Sequence, residues 1–143
     1  MNASLLEELA RELHGSDRIH LYMPVRLGMI GALQQNLAMD GKETAYHILL
    51  PRILEATEEL DENSIVIIST IEFAETLDMK NVFVKAKDKG AKIWMLGTSR
   101  TKYRKYADRM LLDVEENAFG WITVLEAMIL SLSEFYRAKF IDY

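Results

Sequence analysis

Four consecutive β-branched residues, Ile65-Val66-Ile67-Ile68, constrain this chain more than any other feature. A strand lying on a surface turns every second side chain to water, and this run leaves no position polar enough for that. The run is short and follows the turn-forming Asp61-Glu62-Asn63. It therefore reads as a strand over Ser64–Ser69, buried on both faces of a parallel sheet. Ser69 and Thr70 stand where that strand ends, before a helical pattern that opens at about Phe73. In an open α/β sheet, ligands bind outside the carboxyl ends of the strands, so these two hydroxyls are the first site candidates.

The other elements fall into place around this strand. Asn2 or Ser4 caps a helix over residues 3–13, with Leu5, Leu6, Leu9 and Leu13 on one face. Arg18–Tyr22 reads as the first strand, and Val25–Asp40 as a helix stopped by Gly41. Thr44–Leu49 reads as the second strand, and Pro51 suits the first turn of a helix running to about Leu60. Beyond the central strand, the spacing predicts a helix from Phe73 to Lys89, with Leu77, Val82, Phe83 and Ala86 inward. A strand over Lys92–Leu96, a short helix over Lys102–Ala107 and an edge-like strand over Arg109–Asp113 follow. Phe119–Lys139 is a long last helix. Strands and helices alternating at this spacing imply a parallel sheet covered by helices on both faces, and no linker or repeat divides the chain. A single domain of residues 1–143 is expected.

Composition narrows the function. Among 143 residues there is no Cys, which removes disulfide and thiolate chemistry and fits a reducing, cytoplasmic setting. No stretch reaches the roughly 18 apolar residues of a membrane helix, and the N-terminus reads as an amphipathic helix start and not a signal peptide. A net charge of −5 argues against the chain as a whole gripping nucleic acid. The basic cluster is Arg100, Lys102, Arg104, Lys105 and Arg109, interleaved with Tyr103 and Tyr106. It reads as a solvated face with the tyrosines packed beneath it.

The order of these elements resembles the sugar isomerase (SIS) domain, in particular the ligand-sensing half of RpiR-type transcriptional regulators. The resemblance runs from about Ser16 to Phe140. It rests on Arg18–Tyr22, Met39-Asp40-Gly41, Ser64–Ser69 with Thr70, the Ala86–Ala91 helix-to-strand turn, Lys92–Leu96 with Gly97-Thr98, and the Ala107-Asp108 pair. It implies a three-layer αβα sandwich with a five-stranded parallel sheet, flavodoxin-like in order. It also implies a phosphosugar or related carbohydrate ligand at the strand ends, and a homodimer or dimer of dimers. DNA contact would come only through a helix-turn-helix domain that these residues do not contain, as in an excised C-terminal domain or a free-standing relative.

The ligand motifs depart from that pattern. Where the family has Gly-x-Gly-x-Ser after the first strand, this chain has Met23-Pro24-Val25-Arg26-Leu27. Where it has Ser-x-Ser-Gly-x-Thr after the third, a phosphate cradle at a helix N-terminus, this chain has Ser69-Thr70-Ile71-Glu72-Phe73-Ala74. Glu72 puts a negative charge where a phosphate would sit, a repulsion on the order of several kcal/mol at close range. The expected ligand set is Ser69, Thr70, Glu72, Arg26, Thr98 and Ser99, with helix capping as the competing role of the hydroxyls and an ion pair with Glu72 or Glu75 as that of Arg26.

No catalytic residue stands out. His14, His20 and His47 show no metal-ligand spacing, and there is no Walker or dinucleotide fingerprint, so no cofactor or metal is expected. His20 reads as a satisfied core or dimer-facing histidine, and His47 as one that could approach a site in an isomerase. Three functions remain: the sensor and dimerisation domain, an isomerase-type enzyme, or a dimerisation module whose pocket is plugged by Met23, Leu27, Ile71 and Glu72. The last helix carries apolar residues well past one stripe: Trp121, Leu125, Met128 and Leu132, widened by Ile122, Ile129, Phe135 and Tyr136. This width fits either a helix packed between two others of its own monomer or a homodimer seam, and the free side of a terminal helix favours the seam.

Overall fold

A computed structural model describes residues 3–23, 27–70, 77–97, 100–113 and 120–142. Five parallel strands lie in the order β2-β1-β3-β4-β5: β1 (Arg18–Tyr22), β2 (Glu43–His47), β3 (Ser64–Ser69), β4 (Lys92–Gly97) and β5 (Arg109–Asp113). The helices are α1 (Ala3–His14), α2 (Ile30–Met39), α3 (Leu50–Thr57), α4 (Leu77–Asp88) and α5 (Trp121–Tyr136). A 3-10 turn precedes β5, and a π-turn (Arg137–Ile141) continues α5.

Every residue of β3 is buried, as its uninterrupted apolar run requires. Its alternate side chains feed two separate cores. Ile65 and Ile67 point with Ile19, Leu21 and Trp94 into the layer formed by α1, α2 and α5. Val66 and Ile68 point with Tyr22, Ile93 and Met95 toward α3 and α4, where Val82, Phe83 and Ala86 pack. The result is the expected αβα sandwich. The chain leaves β1 for β2 on one face and β3 for β4 on the other, as crossovers of one hand demand when they run in opposite directions.

The differences from expectation lie at element ends. Helix α2 begins at Ile30, later than Val25, because the preceding amides are satisfied elsewhere: Leu27 N–H donates to the Tyr46 hydroxyl (3.1 Å) and Met29 N–H to Glu126 Oε1 (3.4 Å). Strand β2 closes at His47, and Leu49 serves as the extended residue before α3. The expected helix over Lys102–Ala107 is only a 3-10 turn, Arg104–Tyr106, held by Tyr103 and Tyr106 stacked on Phe83. The tyrosines of the basic run are thus packing residues. Lys102 and Lys105 lie over their rings, and Arg109 pairs with Glu8 at 2.9 Å. Asp108 starts β5 by exchanging two bonds with Ile93: its carboxylate accepts the Ile93 N–H (2.8 Å) and its own N–H donates to the Ile93 carbonyl (2.9 Å). A hydrophobic residue there could make only the second bond.

Asp40 ties α1, α2 and α5 together at the end of the sandwich remote from the strand carboxyl ends. Its Oδ2 accepts the Tyr136 hydroxyl and His14 Nδ1 (2.7 Å), while Phe140 stacks on the His14 ring at 4.1 Å. Burial pushes the Asp40 carboxyl up, but the hydrogen bonds from Tyr136 and His14 outweigh it, so its pKa lies below the ordinary value. The sign follows: Asp40 contributes its full stability above the unfolded value of 3.8 and loses it as the pH falls toward the lower folded one. Tyr136→Phe should therefore destabilise the protein by about 1.5–3 kcal/mol at pH 7. Urea unfolding at pH 7 and at pH 3 should show that difference shrinking in acid; an equal loss at both would contradict the charged acceptor.

Candidate functional site

The order β2-β1-β3-β4-β5 places a topological switch point between the carboxyl ends of β1 and β3. Ser69, the last residue of β3, is fully buried there, on the face that bears Ile65 and Ile67. Neither its hydroxyl nor that of Thr70 has a hydrogen-bond partner among the described residues. A buried hydroxyl left unpaired costs about 1–3 kcal/mol.

The ends of β3 and β4 are locked together. Thr70 N–H donates to the Leu96 carbonyl at 2.9 Å, one residue beyond the last paired position of β3. Gly97 follows, and a Cβ on it would collide with the Thr70 hydroxyl. The glycine is thus required by close approach and not by its backbone angles. Sequence reasoning had this glycine only as part of Gly97-Thr98-Ser99; its partner Thr70 lies too far along the chain for any local pattern to show.

On the same face, α5 contributes Glu126. Its carboxylate reaches the turn before α2, accepting the Met29 N–H and standing 3.4 Å from where a Gly28 Cβ would be. A carboxylate is favoured at this positive end of a helix. Sequence reasoning missed this residue, because 97 positions separate it from Met29. Met23 and Leu27, which stand where the family has its glycine-rich turn, are buried members of the α1–α2–α5 core. Of the expected ligand set, Ser69 and Thr70 are adjacent at the strand end. Arg26, Glu72, Thr98 and Ser99 lie outside the described residues, as do Ile71 and Glu75.

The histidines separate from this crevice. His14 belongs to the Asp40 cluster. His20 and His47 lie on the opposite face of the sheet, toward α3, lining one cavity. His20 was expected to be a satisfied core histidine or a dimer-facing one, and the first of these requires a partner within the chain. It is 7% exposed, and neither ring nitrogen has a partner among the described residues. Its neighbour Tyr22 is already engaged, donating to Thr57 Oγ1 at 3.1 Å, while Thr57 donates to the Ile53 carbonyl. No group of three His, Asp or Glu side chains that could hold a metal occurs among the described residues, and no helix among them is long and apolar enough to cross a membrane.

The strand order and the two helical layers are those of a three-layer α/β fold of the SIS type. The sugar isomerase domain of the RpiR transcription factor from Sphaerobacter thermophilus superposes with a TM-score of 0.72 at 15% identity, covering 99% of this chain and 81% of its own. Vibrio vulnificus NanR, solved with ManNAc-6P, gives 0.74 at 11% identity over 99% of this chain and 56% of its own. A Methanococcus jannaschii protein whose structure inferred a 3-hexulose-6-phosphate isomerase function gives 0.63 at 17%, over 97% and 77%. No sequence-family model matches the chain and no curated sequence matches it, so the likeness is one of structure. It extends to a transcription-factor domain, to NanR and to an isomerase-like protein alike.

Gly97→Ala should cost about 1–3 kcal/mol through the clash with Thr70. Adding Thr70→Ala should recover most of that loss, a coupling that a double-mutant cycle of urea midpoints would detect. Additive losses would mean that the two side-chain positions do not meet.

Proposed function

We propose that this chain is a single ligand-sensing and dimerising SIS domain of an RpiR-type regulator. It would act in the cytoplasm without catalysing a reaction, and bind a phosphosugar or related carbohydrate at the carboxyl ends of β1, β3 and β4. The observation that carries the reading is the buried Ser69 hydroxyl beside Thr70 at the switch point, without a hydrogen-bond partner among the described residues. Arg26, Glu72, Thr98 and Ser99 complete the proposed ligand set. DNA would be read by a helix-turn-helix outside these residues. Ligand would change DNA affinity only by binding one dimer arrangement better than the other.

Two alternatives each have an observation in their favour. Glu126 is a carboxylate near the crevice, which an isomerase-type enzyme would need as a base, though here it is engaged with Met29. Met23 and Leu27 sit inside the core, which fits a vestigial pocket on a dimerisation module.

Thermal unfolding against sugar phosphates and their unphosphorylated sugars separates the readings. A phosphosugar at a hundred times its dissociation constant should add about 2.7 kcal/mol, a rise of several degrees. The sensor reading expects that rise, its loss in Ser69→Ala and no turnover. Turnover lost in Glu126→Gln would establish the enzyme, and no shift with any compound the vestigial module.

The dimer seam rests on α2 and α5, which pack side by side. Ile30–Met39 contains no charged residue, and α5 has only Glu126 and Glu134 among its 16. Yet Met39 is 54% exposed, Ile122 44%, and Val124 and Leu130 41% each. Exposed apolar side chains on two adjoining helices are surface that a partner copy could cover. Leu130→Glu should halve the mass seen by light scattering while leaving the circular dichroism spectrum unchanged. An unchanged mass would remove α5 from the interface.

A further inference from the structure

The cavity under α3 contains His20, and its chemistry differs from that of the strand-end crevice. About 170 Å³ of space lies between β1, β2 and the end of α3, lined by Arg18, His20, Glu43, Ala45, His47 and Glu59. These residues share one face of the sheet because Arg18 pairs with Glu43, His20 with Ala45 and Tyr22 with His47 in the parallel register. Taking about 30 Å³ per water, the space holds roughly five waters or one small organic molecule.

The lining selects the kind of molecule. Burial first, then the neighbouring His47 and Arg18, hold the His20 imidazole below its ordinary pKa, so near neutral pH it offers one N–H and one lone pair. Both lack a partner among the described residues, so an occupant must both accept and donate. A hydroxyl does both. Two carboxylates, Glu43 and Glu59, against the single guanidinium of Arg18 make the rim net negative, which disfavours phosphate and carboxylate ligands. The same carboxylates and guanidinium suit adjacent hydroxyls, accepting from one and donating to the next. A bare metal ion would find no group of three ligands here.

We infer that this cavity is a second binding site, for a small neutral polyol or unphosphorylated sugar, with His20 as its buried contact and His47, Glu43, Glu59 and Arg18 around its rim. The site is on the sheet face opposite Ser69 and does not depend on what the strand-end crevice binds.

Imidazole signals in carbon–proton NMR spectra of the whole chain test this, with glycerol, erythritol, ribose and glucose as probes and inorganic phosphate as the contrasting anion. The expected result is a saturable shift of the His20 and His47 signals with at least one polyol, with His14 unmoved and phosphate without effect. Ser69→Ala should leave the titration intact. Ala45→Leu, which fills the space from the edge strand, should abolish saturation, as should His20→Phe; the first serves if the second does not fold. Signals that stay still or drift linearly with all four polyols would overturn the proposal, leaving a water-filled cavity. A shift with phosphate alone, or saturation surviving Ala45→Leu, would also overturn it.

Discussion

Strand β3 is buried on both faces, and the layers, flanking strands and switch point all follow from that burial. Six successive positions without solvent require a helical layer above and another below, and paired strands on both edges. Burying one such side chain is worth about 1.5–3 kcal/mol, so a run of four outweighs any local preference of its neighbours. Strands β1 and β4 occupy the two flanks. The chain must then reverse its direction of travel across the sheet, and that reversal creates the switch point at which Ser69 sits.

Apolar packing alone leaves helices free to slide, and a small set of polar contacts fixes them. Asp40 gathers three helix ends. Asn36 donates to the Ser133 hydroxyl at 2.8 Å inside the α2–α5 contact, where an unpaired amide would be costly. Glu12 receives Trp94 Nε1 and Lys92 Nζ, setting α1 over β4. Against that background the unpaired groups are informative. A chain that pairs its buried polar groups this thoroughly leaves Ser69, Thr70 and His20 without partners among the described residues; Ser69 and Thr70 stand at the switch point and His20 faces a cavity.

Much of the fold was legible because it follows from short-range periodicity. The runs Arg18–Tyr22, Ser64–Ser69 and Arg109–Asp113 are strands over the expected residues, and Gly41 and Gly90 take the positive φ values of 77° and 81° that end α2 and α4. The element ends were less legible, because the start of α2 depends on Tyr46 and Glu126, which arrive from β2 and α5. The site was legible in part. Position at a strand end pointed to Ser69 and Thr70, whereas the role of Gly97 comes from a contact between neighbouring strands. Of the two readings of position 20, the satisfied core histidine failed for a related reason: whether a partner exists within the chain depends on α3, which leaves a gap over that ring.

The parallel αβα architecture, the central strand and the acidic balance were already written in the chain, since each depends on residue type, spacing or net charge along it. Folding settled the rest: which polar groups find partners, that Thr70 fills the space a Gly97 side chain would need, and that two histidines share a cavity on the far face of the sheet. Those outcomes depend on where surfaces distant in sequence come to rest, and close packing of side chains settles that residue by residue.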